Sequence, residues 1–182
     1  MGPPGFPKIA TVGHSSRTMP ELIAILQAHA IDLVVDVRTM PRSRFNPQFN
    51  KDDMPGPLGE AGIGYRHLPE LGGLRKPRAD STNTAWENAS FRGYADYMET
   101  PGFEAGLRQL RELAAERRTA VMCAEAVPWQ CHRSLIADAL SAKGVRVKHI
   151  LSVTKAEPHR ITAFAKVENG RVTYPSGQAS LF

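Results

Sequence analysis

A chain of 182 residues, 42% of them hydrophobic and 23% charged, has the make-up of one globular domain that buries roughly two-thirds of the surface its unfolded form would expose. No apolar run approaches the roughly 20 residues of a membrane span, and Met1-Gly-Pro-Pro-Gly-Phe-Pro7 has neither the charged start nor the apolar core of a secretory signal, so no membrane partner and a cytoplasmic location are expected. The net charge of +5, carried more by Arg than by Lys, favours a phosphate-bearing ligand or nucleic acid as partner, although a GC-rich genome leaves the same bias.

Residues 1–7 read as a flexible leader, 8–175 as one α/β domain and 176–182 as a tail. Lys8 to Val12 is a short apolar run stopped by Gly13-His14-Ser15-Ser16, which predicts a buried strand with a loop at its carboxyl end. Thr18 is placed to cap a helix whose Leu22, Ile23, Leu26 and Ala30 share a face. Asp32 to Arg38 is apolar on both faces, as a strand of a covered parallel sheet must be. From Thr39 to Gly64, Pro and Gly break the pattern and leave a long loop with one short helix near Leu58; such loops tend to carry function. A third strand is expected from Ile63 to Leu68, followed by a polar stretch to about Ser90 suited to a mobile lid. Phe91, Tyr94 and Met98, a break at Pro101-Gly102, then Leu107, Leu110 and Leu113 give a helix in two parts. Thr119 to Cys123 is the fourth strand, His132 to Lys143 the next helix, closed by Gly144, and Val145 to Leu151 the fifth strand. Ile161 to Val167 and Arg171 to Tyr174 are extended pieces flanking the hairpin signal Asn169-Gly170. The alternation predicts a mostly parallel, doubly wound sheet with flanking helices and a C-terminal hairpin-like extension.

Ligands of open parallel sheets gather beyond the carboxyl ends of the strands, and the polar residues fall there. His14 and Ser15 follow the first strand, Asp36 and Arg38 end the second, His67 and Glu70 the third, and Glu125, Cys131, His132 and Arg133 follow the fourth. Both cysteines lie between Cys123 and Ser134 and are expected as free thiols in a reducing compartment. Three chemistries stay open. Cys131 is a thiolate acidified by the helix start, His132 and Arg133, or else a packed, inert thiol. Alternatively Cys123, Glu125, Cys131 and His132 ligate a metal with His14 or His67, although the spacing fits no familiar zinc motif. The third option is a phosphate cradled by loop N–H groups with Arg38 and Arg133. The acid/base candidates are Glu125, His132, His67 and Asp36, each of which has a plain structural alternative. Arg42 joins the ligand-binding candidates, and Arg42, Arg44, Phe45 and Phe49 interleave charge with rings as single-strand nucleic-acid surfaces do, and as half-buried loops also do. No motif specifies a cofactor.

Five pieces stand in order across residues 8 to 155: Thr11-Val-Gly-His-Ser-Ser-Arg-Thr18; Asp36-Val-Arg-Thr-Met-Pro-Arg-Ser43 with Phe49-Asn50; Tyr65-Arg-His-Leu-Pro-Glu-Leu-Gly-Gly73; Phe91-Arg-Gly-Tyr-Ala-Asp-Tyr-Met98; and Met122-Cys-Ala-Glu125 with Cys131-His-Arg-Ser134. In them the chain resembles the domain of unknown function 488 family. The resemblance implies an α/β domain without an established activity, with shared polar positions at His14, Asp36, Arg38, His67, Glu125, Cys131, His132 and Arg133. Separately, Gln178-Ala-Ser-Leu-Phe182 is similar to the short bacterial peptide that docks into the replication sliding clamp, with Gln178, Leu181 and Phe182 as the contacting residues. The alternative is a tail that folds back over the core.

Overall fold

Short apolar runs buried on both faces build the centre of the molecule. In the computed structural model, which describes residues 8–177, they form β1 (Lys8–Gly13), β2 (Leu33–Asp36), β3 (Gly64–His67), β4 (Thr119–Cys123) and β5 (Arg146–Ile150). All five run parallel, in the order β3-β2-β4-β1-β5. A sixth strand, β6 (Ala156–Pro158), pairs antiparallel with β5, and β7 (Lys166–Glu168) and β8 (Arg171–Thr173) form a separate hairpin. At its turn Asn169 and Gly170 both take positive φ, 51° and 73°, the backbone that Asn-Gly accepts most readily. The leader, and the tail residues Gln178, Leu181 and Phe182, lie outside the described residues.

Helices close both faces. The helix α1 (Met19–Ala28) starts in a capping box: Thr18 Oγ1 accepts from the Glu21 N–H at 3.2 Å, and Glu21 Oε1 accepts from the Thr18 N–H at 3.0 Å. With α2 (Pro55–Glu60) it covers one side, setting Leu22, Leu26 and Leu58 on Val12, Val34 and Met122. The other side carries α3 (Ala89–Tyr97), α4 (Pro101–Glu116) and α5 (Arg133–Ala142), which set Tyr94, Leu107 and Leu135 on Val35, Val121 and Val147. Each such buried side chain is worth about 1.5–3 kcal/mol. Thr100 caps α4 through a 3.3 Å bond from the Phe103 N–H, so the expected break at Pro101 is a new helix start. Among the described residues no helix is long and apolar enough to cross a membrane.

Two expectations need correction. The stretch from Ile161 to Val167 is not one strand, because Asp138 captures the Thr162 N–H (3.0 Å) and hydroxyl (2.7 Å) and turns the chain before Lys166. The polar stretch before α3 is an anchored strap instead of a free lid. Buried Asp96 accepts from the Arg78 N–H (2.8 Å), Ser81 Oγ (2.7 Å) and Asn83 Nδ2 (2.8 Å), and Asn83 Oδ1 accepts from the Tyr174 N–H (2.9 Å). The strap passes so close to α3 that a Cβ on Gly93 would lie 2.1 Å from the Arg75 carbonyl oxygen.

The connections define the switch point of the sheet. The chain leaves β1 through α1 and passes β4 to reach β2; it leaves β4 through α5, on the opposite face, and passes β1 to reach β5. The carboxyl ends of β1 and β4 are therefore the topological switch point, where a doubly wound sheet opens a crevice.

Candidate functional site

Beyond the ends of β2 and β4, and under α3, lies a cleft of about 480 Å³, within the range of small-molecule sites. Its floor holds Cys123, Cys131 and His132; Met40, Leu74, Phe91 and Tyr94 give an apolar wall, and Arg38 and Glu125 also border it. Strand parity directs Cys123 here. Ala120 and Met122 face α1, whereas Val121 and Cys123 face α5.

Arg133, the first residue of α5, reaches back beneath this floor. It is fully buried at 0% exposure, and its Nη1 donates to Cys123 Sγ at 2.9 Å and to the Glu125 carbonyl at 2.6 Å, while Nη2 donates to the Ala126 carbonyl at 3.1 Å. The approach is possible because β1 ends in glycine: a Cβ on Gly13 would sit 1.7 Å from the Glu125 oxygen and 2.8 Å from Arg133 Nη1. Among the described residues no carboxylate pairs with Arg133, and its Nε–H finds no acceptor. A buried guanidinium requires a counter-charge, and Cys123 is the ionisable group in its hydrogen-bond shell. Burial pushes the Cys123 thiol up, but the hydrogen bond from Cys131, the Arg133 charge and the neighbouring backbone bond outweigh it and hold it at about 7. The Cys131 thiol moves the other way, raised by its hydrogen bond with Cys123 and by burial. Both thiols are free, at 2% and 6% exposure.

His132 is oriented by the strand beside it. Its Nε2–H donates to the Val37 carbonyl at 2.9 Å, and since burial lowers its pKa to about 4, the ring is neutral with a lone pair on Nδ1, 3.6 Å from Cys131 Sγ. The Cys131 S–H thus has His132 Nδ1 as an acceptor in reach. His67 Nε2 donates to the next carbonyl, Arg38, at 2.7 Å and lies outside the cleft.

The other sequence candidates form a second, closed network. Asp36 is fully buried and accepts from Arg38 Nε (2.9 Å), Arg38 Nη2 (2.6 Å), the Arg38 N–H (3.1 Å) and the Tyr65 hydroxyl. Arg38 also donates to the Phe49 carbonyl at 2.6 Å and, from Nη1, to His14 Nε2 at 3.2 Å. Because arginine only donates, His14 Nε2 is the acceptor and its Nδ1–H goes to the Ser15 carbonyl at 2.8 Å. Burial, with help from the Arg38 charge, lowers His14 to about 4 and keeps it neutral, stacked on Phe49 at 4.3 Å. Ser15 takes a left-handed φ of 50° and donates its N–H to the Ala124 carbonyl at 2.9 Å, tying the loops after β1 and β4 together.

Arg42 is exposed outside the cleft, beside Lys51, Asp52 and Asp53. Of the interleaved rings, Phe45 is 93% exposed and Phe49 is core. Glu125 is exposed, and it is its main-chain carbonyl that Arg133 holds. Among the described residues no group of three His, Cys, Asp or Glu converges as metal ligands do. Cys123, absent from the catalytic candidates, was signalled by its parity in the fourth strand. Tyr65, which completes the Asp36 shell, carried no comparable signal.

The fold and the cleft together define a doubly wound α/β domain with a cysteine pair at its switch point. The family model for the domain of unknown function DUF488 matches residues 18–140, and the chain belongs to that family. No curated protein and no solved structure matches it.

Proposed function

We propose that this protein is a thiol-dependent enzyme in which Cys123 is the nucleophile. The observation that carries this reading is the buried Arg133 guanidinium, 2.9 Å from Cys123 Sγ and without a carboxylate partner among the described residues. A thiolate there balances the charge and stands ready at the floor of an open cleft. Cys123 attacks the electrophilic centre of a small molecule seated against Phe91 and Tyr94. The leaving group takes its proton from the neighbouring Cys131 S–H, and His132 Nδ1 holds that thiol in place. His14, Asp36, Arg38 and His67 fix the loop after β2 that forms one wall.

The test uses an activated ester, p-nitrophenyl acetate, as a generic electrophile. A burst of one equivalent of p-nitrophenolate, with the acetyl group mapped to Cys123 and no burst in Cys123→Ser, is the expected result. An acetyl group found only elsewhere, or a burst that survives in Cys123→Ser, overturns the proposal.

A second reading has its own observation: Arg42, Arg44 and Phe45 are exposed on the segment that follows Met40, a residue of the cleft wall, as a surface for a phosphate-bearing or single-stranded nucleic-acid ligand would be. Its binding should fall steeply with salt, and absence of binding at low salt rejects it. The sliding-clamp peptide at Gln178, Leu181 and Phe182 remains a proposal from the amino-acid pattern. Removing residues 178–182 should then abolish association with the clamp.

A further inference from the structure

The cleft floor holds two sulfurs, and the nucleophile reading uses the second only as a proton source. Cys123 ends β4, a rigid central strand, whereas Cys131 sits in extended backbone just after a 3-10 turn, Pro128–Gln130, in the loop that connects β4 to α5. Both line the same cleft, and their environments are unequal. Cys123 Sγ receives a guanidinium N–H at 2.9 Å; Cys131 Sγ lies 3.6 Å from a neutral imidazole nitrogen that accepts a proton. Such an arrangement pairs an attacking thiolate with a resolving thiol.

We propose that Cys123 and Cys131 form a redox pair that reduces hydroperoxides and closes to an intramolecular disulfide; this rests on the reading of Cys123 as a thiolate. The Cys123 thiolate attacks the distal oxygen of a hydroperoxide, the O–O bond breaks, and the alkoxide leaves with the Cys131 proton as an alcohol. Cys123 is then a sulfenic acid and Cys131 a thiolate. Cys131 attacks the Cys123 sulfur, the S–O bond breaks, and hydroxide departs. The cysteine pair has lost two electrons and the hydroperoxide has gained them. An external thiol restores the pair by exchange. The apolar wall of Met40, Leu74 and Phe91 fits an organic hydroperoxide.

The cycle has a structural consequence that an ordinary disulfide lacks. Oxidation removes the anion beside Arg133 and leaves a buried guanidinium without a counter-charge. The oxidised protein should therefore melt below the reduced one, although a cross-link usually stabilises.

The experiment treats the full chain with one equivalent of cumene hydroperoxide and follows intact mass, free thiols and dimedone labelling. The expected result is loss of two hydrogen masses and of both thiols in the wild type, reversed by dithiothreitol, and a dimedone adduct on Cys123 in Cys131→Ser. A dimedone adduct on Cys123 in the wild type with no disulfide overturns the pairing while leaving the thiolate reading intact. No oxidation of Cys123 in either protein overturns the redox pair, and the ester burst then decides separately whether the thiolate reading stands.

Discussion

At the scale of single residues, the protein carries two buried guanidinium groups solved in different ways. Arg38 is matched by Asp36 in bidentate contact, with Phe49 and His14 taking its remaining N–H groups and Tyr65 donating to Asp36. Arg133 has carbonyls and a sulfur. Breaking a buried pair by removing one partner is costly because the other charge stays behind. Asp36→Asn should accordingly cost about 3–5 kcal/mol in urea unfolding, and Tyr65→Phe, which removes one neutral donor, only about 1 kcal/mol. Equal losses from the two substitutions would show that Arg38 does not depend on the Asp36 charge. Much of this was legible in the sequence, since Asp36, Arg38, His14 and Arg133 all fall after strands. What no spacing shows is that an arginine placed at a helix start points inward, under the loop, to a sulfur and two carbonyls. That direction depends on Gly13, whose missing side chain opens the path.

At the scale of elements, the parallel strands and the α-helices, apart from a residue or two at their ends, followed from apolar runs and caps, because burial and capping are local demands. The C-terminal third was harder to read, since a long-range group organises it. Asp138, fully buried in α5, accepts from His159 Nε2, Thr162 Oγ1 and the Tyr174 hydroxyl, each at 2.7 Å. His159 Nδ1 continues to His149 Nε2 at 2.8 Å, and His149 Nδ1 to Thr11 Oγ1 at 2.6 Å. One carboxylate thus ties the segment before β7, the end of β8 and, through two imidazoles, the central strand β1. Asp138→Ala should cost about 3 kcal/mol or more and loosen residues 159–174 in hydrogen exchange while β1 to β4 stay protected. Unchanged exchange in residues 159–174 would remove Asp138 from this role.

At the scale of the whole molecule, the neutral histidines set the acid limit of the fold. Burial lowers His14 and His132 to about 4 and His149 to about 3, against 6.5 when the chain is unfolded. The unfolded chain therefore binds more protons than the folded one below pH 6.5, so stability falls as pH drops from 6.5 towards 4 and is flat with respect to these groups above it. Each group contributes a slope of up to about 1.4 kcal/mol per pH unit, and urea unfolding across that window checks the sum. Replacing His149 by Gln should flatten the curve; an unchanged slope would show that His149 does not titrate on unfolding.

The central claim, that Cys123 is the anion beside Arg133, is tested most directly by titrating thiolate absorbance in the far ultraviolet. The expected result is a step centred near pH 7 that disappears in Cys123→Ser, persists in Cys131→Ser and moves to higher pH in Arg133→Met. A step that stays in the ordinary thiol range, or that is the same with and without Arg133, contradicts it.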